Sequence, residues 1–117
     1  MTSTHDPQQL KGVLWLLLLQ LLAEQESYGY EVVQRLQASG FTDVLEGTVY
    51  PALARLQREG RLVTHLVASP SGPARKYYRL TPAGREALTE GSAAWTRHVL
   101  AVNAVLGSGA PGNGDPK

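Results

Sequence analysis

Apolar positions first gather between Leu10 and Leu22, where Leu10, Leu14, Leu17, Leu18, Leu21 and Leu22 share one face of a helical wheel while Trp15, Leu16 and Leu19 occupy the other. The preceding Asp6-Pro7-Gln8-Gln9 supplies an N-cap acceptor, a first-position proline and a glutamine two residues on, which predicts a helix over about 7–24. A helix that is apolar nearly all round must be covered on both sides. In a chain of 117 residues the second cover is expected to be another subunit.

Further along, Ser27 is placed to cap a second helix whose stripe Tyr30, Val33 and Leu36 ends near Ser39-Gly40. After a connector at 41–46, a third helix is predicted from about Gly47 to Glu59, with Val49, Leu53 and Leu56 turned inward and Ala52 beside them. Pro51 then falls in or next to its first turn, and Gly60 is positioned to end it in a left-handed conformation. Residues 61–67 alternate Leu62/Leu66 against Val63/Val67, and 76–80 form a second, aromatic-rich strand. The turn-forming stretch 68–74 between them suits a hairpin tip. Thr81-Pro82 pairs an N-cap with a first-position proline and opens a last helix to about Leu106, with Leu88, Trp95, Val99, Val102 and Leu106 at helical spacing.

Three helices, a two-stranded hairpin and a long helix make the order of a winged helix-turn-helix, a mainly α (α+β) fold with N-terminal and C-terminal helices available for dimerisation. The expected division is a disordered start at 1–6, a winged-helix domain at 7–81 with its wing at about 61–80, a dimerisation helix at 82–106, and a disordered glycine-rich and proline-rich tail at 107–117.

Composition narrows the chemistry. There is no cysteine, hence no disulfide framework, thiolate nucleophile or cysteine-ligated metal, which is compatible with a cytoplasmic location. The longest apolar run, Gly12 to Ala23, spans 12 residues where a membrane helix needs about 20, and no small-residue cleavage site follows it, so neither a membrane span nor a signal peptide is expected. His5, His65 and His98 lack ligand spacing, and neither a phosphate loop nor a nucleophile motif is present. No enzyme, metal or cofactor is therefore expected. The acidic cluster Glu24, Glu26 and Glu31 flanks a helix junction, where carboxylates favour a helix N-terminus.

Net charge is only +1, yet it is unevenly placed. Residues 55–85 carry Arg55, Arg58, Arg61, Arg75, Lys76, Arg79 and Arg85 against Glu59 alone. A localised basic block points to a polyanion, and here it coincides with the third helix and the hairpin. Thr48, Tyr50, Pro51, Arg55 and Arg58 face outward or sideways on that helix, combining hydroxyl, phenol and guanidinium groups that can donate to phosphates and base edges, while Gly47 and Ala54 allow close approach to a groove. Packing of Tyr50 against the hairpin or second helix is the alternative reading for that side chain. Arg75 and Lys76 follow the hairpin tip, within reach of a flanking backbone. Of Tyr77 and Tyr78, one closes the core and the other faces out; alternation alone does not say which.

Three blocks together, Tyr28-Gly29-Tyr30-Glu31-Val32, Gly47-Thr48-Val49-Tyr50-Pro51-Ala52-Leu53-Ala54-Arg55-Leu56 with Glu59-Gly60, and Arg75-Lys76-Tyr77-Tyr78-Arg79-Leu80-Thr81-Pro82-Ala83-Gly84, closely resemble the PadR-like family of bacterial transcriptional regulators, in its short form. The resemblance covers roughly residues 7–106 and implies an effector-responsive homodimeric repressor on a pseudo-palindromic operator. Thr48, Tyr50 and Pro51 match recognition-helix positions of the family, and Arg75 and Lys76 match its basic wing. It also implies that first and last helices pack between subunits, through Leu16, Leu19, Leu88, Trp95, Val99, Val102 and Leu106. Some members take flat aromatic or drug-like compounds between subunits on a last-helix tryptophan, which Trp95 resembles and which Trp15 could join. The alternative reading of Trp15 and Trp95 is plain packing. For the whole chain, the alternative is a winged-helix module for protein contact or ligand binding without DNA. The wing tip Ser71-Gly72-Pro73-Ala74 carries fewer basic residues than many relatives, which implies weaker wing contacts.

Overall fold

The computed structural model describes residues 6–107. Helix α1 (Pro7–Glu24) opens as the sequence predicts, the Asp6 carboxylate accepting from the Gln8 N–H at 2.8 Å. Strand β1 (Ser27–Tyr28) and helix α2 (Gly29–Ala38) follow, then α3 (Glu46–Arg58), β2 (Leu62–Ser69), β3 (Gly72–Leu80) and α4 (Pro82–Val105). The described part of the disorder expected at the chain ends amounts to Asp6, which caps α1, and Gly107; the remainder lies outside the described residues.

The core is a layer of side chains between α1, α2, α3 and the sheet. Leu18, Leu19, Val32, Val33, Leu36, Val49, Leu53 and Leu56 are fully or almost fully buried, joined by Val44, Leu62 and Leu80. Truncating one such leucine to alanine costs about 2–5 kcal/mol. The inward face of α3 is the predicted Val49, Leu53 and Leu56. In α2 the stripe is Val32, Val33 and Leu36; Tyr30 stands outside it, exposed, because the helix begins at Gly29 and its first turn projects past the core.

Two helix ends are stitched together. Past Arg58, Gly60 adopts φ 78°, its N–H bonds the Gln57 carbonyl and the Arg61 N–H reaches back to Leu56 at 2.9 Å, the pattern of a Schellman cap. Thr81 then caps α4 by accepting from the Gly84 N–H at 3.0 Å while its hydroxyl donates to the Gly60 carbonyl at 2.6 Å. A side chain at Gly84 would run into the Arg61 carbonyl, so glycine is required where α4 crosses the start of β2. The end of α3 and the start of α4 are thereby one rigid joint.

Three expectations change. The sheet has three antiparallel strands in the order β1-β3-β2, because Ser27 and Tyr28 pair with Tyr78 and Tyr77. Ser27 accordingly does not cap α2: it is fully buried, its hydroxyl donating to the Gln25 carbonyl and accepting from Arg35, and α2 begins with Tyr28 in the cap position without a side-chain bond. The second change concerns Pro51, which sits in the second turn of α3, since that helix begins at Glu46. Its missing N–H deprives the Gly47 carbonyl of a helix bond on the exposed side. The third concerns the far face of α1. Leu19 is wholly buried in the chain's own core and offers a second subunit no surface, and Leu16 is buried under α4, where the Gly91 Cα lies against Trp15 and Leu16. Helix α4 of the same chain supplies much of the second cover. Leu88 also packs, half-buried, on this core.

Candidate nucleic-acid interface

With Val49, Leu53 and Leu56 fixed inward, helical periodicity centres the outer face of α3 on Gly47, Pro51, Ala54 and Arg58. Thr48 and Arg55 flank this strip on the side of α1, and Tyr50 flanks it on the side of α2, where its ring touches Gly29. Thr48, Tyr50, Pro51, Arg55 and Arg58 are all exposed. Burial, then the Glu46 carboxylate, and then Tyr78 and Tyr30 push the Tyr50 phenol above its ordinary value of 10.0, so it remains a neutral donor. Arg55 is paired along the helix: its Nε lies 3.1 Å from one Glu59 oxygen, while the other oxygen is 3.8 Å from Arg61 Nε. Arg58 forms no ion pair among the described residues.

The hairpin divides its charges between two faces. Register pairs Leu62 with Leu80, Thr64 with Tyr78, His65 with Tyr77, Leu66 with Lys76 and Val67 with Arg75. Alternation therefore puts Tyr78 and Lys76 on the inner face with Ser27, and Arg75, Tyr77 and Arg79 on the outer face with Tyr28 and His65. Tyr78 is the tyrosine that packs on the core. Lys76 lies over its ring at 5.8 Å, on the side shared with Tyr50. On the outer face Arg75 covers the Tyr28 ring at 4.4 Å, Tyr28 meets Tyr77 edge-on at 5.5 Å, and His65 Nε2 stands 3.3 Å from Glu26. The tip narrows to Pro70 and Ser71, since both strands run further than the sequence pattern indicates.

Two clefts run along α1. A cleft of about 800 Å³ separates α1 from α3 and includes Thr48, Pro51 and Arg55 on one wall. A second, of about 560 Å³, lies between α1 and α4 and is lined by Trp15, Leu16, Trp95, Val99 and Val102 among others. Trp15 borders both, with the Arg61 guanidinium 5.5 Å from its ring centre. Trp95 is 47% exposed and packs beside His98, while Val105 and Leu106, at 85% and 72%, leave the end of α4 bare. Among the described residues no cluster of three or more His, Asp or Glu could hold a metal ion, and no helix is long and apolar enough to cross a membrane.

This geometry can be compared with known proteins. Residues 18–90 match the Transcriptional regulator PadR-like family. The chain belongs to that family. Transcriptional regulator Rv3488 of Mycobacterium tuberculosis is 41% identical over 80 residues, 68% of this chain and 73% of that protein. Among solved structures, a PadR-like transcriptional regulator of Bacillus cereus superposes with a TM-score of 0.78 at 41% identity, covering 92% of this chain and 99% of its own. A Streptococcus transcriptional regulator gives 0.78 at 35% identity, covering 86% and 98%. Membership in the PadR-like family makes the chain a transcriptional regulator and implies DNA-binding regulation.

In this PadR-like chain Thr48, Tyr50, Pro51, Arg55, Arg58, Arg75 and Lys76 all stand at exposed positions, as helical period and strand alternation predict. The Arg55–Glu59 pair is legible as an i,i+4 spacing. The Gly29–Tyr50 contact is the packing on the second helix named above as the alternative for Tyr50, whereas the Tyr28–Arg75 contact is not legible, because it joins segments far apart in the chain.

Proposed function

We propose that the protein is a cytoplasmic, homodimeric repressor that binds a pseudo-palindromic operator, with α3 entering the major groove and the wing at the flanking backbone. The observation that carries this reading is the exposed strip of α3, small at Gly47 and Ala54 and bordered by donors, lying beside the lysine side of the wing. Thr48, Tyr50, Arg55 and Arg58 supply donors to phosphates and base edges, and Pro51 and Ala54 let the helix sit close. Arg75 and Lys76 contact the sugar-phosphate backbone. Half-sites then lie about one helical turn apart, or a multiple of it.

The bare apolar end of α4, with Trp95, Val99, Val102 and Leu106, supports dimerisation through that helix. In the dimer, the α1–α4 cleft with Trp15 and Trp95 is a site for a flat aromatic effector, whose stacking needs an apolar, partly enclosed slot. No catalytic residue, metal or cofactor is assigned. The test is a titration of duplex DNA from the gene's own upstream region, with the oligomeric state followed by sedimentation, with and without flat aromatic compounds. Saturable binding of one dimer per site, weakened by such a compound, is the expected result. A monomer that binds no duplex would overturn the reading.

A further inference from the structure

The wing's arginine does not project freely. Strand β1 ends at Tyr28, opposite Tyr77, so the sheet is three strands wide at that row and only two beyond it. Arg75 is two residues nearer the tip on the same face, and it overhangs the place where β1 stops. What it meets there is the Tyr28 ring, 4.4 Å from its guanidinium carbon. From Leu66 to Lys76 every residue but Ser69 is exposed, so no core lies beneath this part of the hairpin to fix it.

Tyr28, by contrast, is fixed from the core. Its neighbour Ser27 is fully buried and receives a hydrogen bond from Arg35 at 2.9 Å, and Arg35 also bonds the Gln25 carbonyl and pairs with Glu24 at 3.3 Å. Tyr77 holds the Tyr28 ring edge-on. Glu26, the nearby carboxylate, is engaged by His65 rather than by Arg75. The contact type matters here: an ion pair would neutralise the guanidinium, whereas an aromatic ring beneath it leaves the charge uncompensated, with no carboxylate competing for it against a phosphate.

We propose that Tyr28 is a positioning residue for DNA binding, a platform that pre-orients Arg75 toward the backbone without neutralising its charge. This inference rests on the reading that the wing contacts DNA. It assigns to the β1 segment, which pairs with β3 short of the wing tip, a share of the binding affinity.

Two measurements test it, one in the free protein and one on a random-sequence duplex, since a phosphate contact is independent of sequence. In the free protein, nuclear magnetic resonance should find the Arg75 side-chain protons shifted by the Tyr28 ring, a shift lost in Tyr28→Leu and retained in Tyr28→Phe. On the duplex, Tyr28→Leu should weaken binding by roughly two- to fivefold, the scale of an exposed cation–π contact, with the salt dependence unchanged. Tyr28→Phe should bind as the wild type does. Arg75→Ala should lose affinity and about one unit of the logarithmic salt slope, and adding Tyr28→Leu to it should change nothing further. If the wild type binds and Tyr28→Leu matches it, or weakens Arg75→Ala by the same factor, the inference is overturned alone. If the wild type binds no duplex at any salt concentration, the DNA reading falls with it.

Discussion

The ring of Tyr50 on α3 rests on the backbone of Gly29 at the start of α2, so closely that a methyl group at Gly29 would lie 2.9 Å from the tyrosine Cε1. The two helices of the helix-turn-helix are thereby in register at one aromatic side chain, and that side chain borders the proposed groove-facing strip. Gly29→Ala should displace the ring while leaving the fold intact, because Tyr50 is 42% exposed and has room to swing outward. The expected loss in operator binding is on the order of 1 kcal/mol, about fivefold. Combined with Tyr50→Ala, the glycine substitution should add nothing; an additive loss would show that Gly29 acts elsewhere.

Glu59 holds two arginines with its two oxygens, Arg55 at 3.1 Å and Arg61 at 3.8 Å. Because Arg55 is largely exposed, its pair is worth under about 1 kcal/mol and is easily exchanged for a phosphate. Removing the competing carboxylate should favour DNA. Glu59→Gln is expected to raise duplex affinity by roughly two- to fivefold with little change in melting temperature. Arg55→Ala should abolish that gain, and unchanged affinity in Glu59→Gln would remove Arg55 from the interface.

The raised Tyr50 phenol has a signed consequence for stability. The folded state holds this proton more tightly than the unfolded chain, so its contribution is complete below the ordinary value of 10.0 and is lost as pH rises through the higher folded value. Phenolate absorbance followed against pH should show a late-titrating component in the folded protein that is absent in Tyr50→Phe. The alkaline decline in stability should be correspondingly shallower in that variant. If the two titrations superpose, the burial and the nearby Glu46 charge do not raise the Tyr50 phenol.

Local chemistry made much of this fold legible. The Asp6 and Thr81 caps, the proline at the start of α4 and the left-handed Gly60 each depend on a few adjacent residues, and each stands where the pattern puts it. Strand β1 was hidden because two residues carry no periodicity, and Ser27 before a helix has the local signature of a cap. Only the arrival of β3 beside it, and of Arg35 at its hydroxyl, decides otherwise. The same limit applies to α1. Its all-round apolarity correctly demanded cover on both sides, but the sequence could not say that α4 of the same chain would supply it at Leu16. The exposed donors of α3 followed from the helical period, and packing on the second helix was one of two readings open for Tyr50; the contact that orients Arg75 required the tertiary structure.

The most direct test of the central claim is the salt dependence of duplex binding in the wild type and in Arg58→Ala/Lys76→Ala, two exposed cations on α3 and the wing that form no ion pair among the described residues. Fluorescence anisotropy with DNA from the gene's own upstream region, between about 50 and 200 mM salt, gives the logarithmic slope directly. The wild type should show a steep negative slope and the double variant one shallower by about two units, with weaker binding at every salt concentration and an unchanged melting temperature. Equal affinities and equal slopes in the two proteins would contradict that claim.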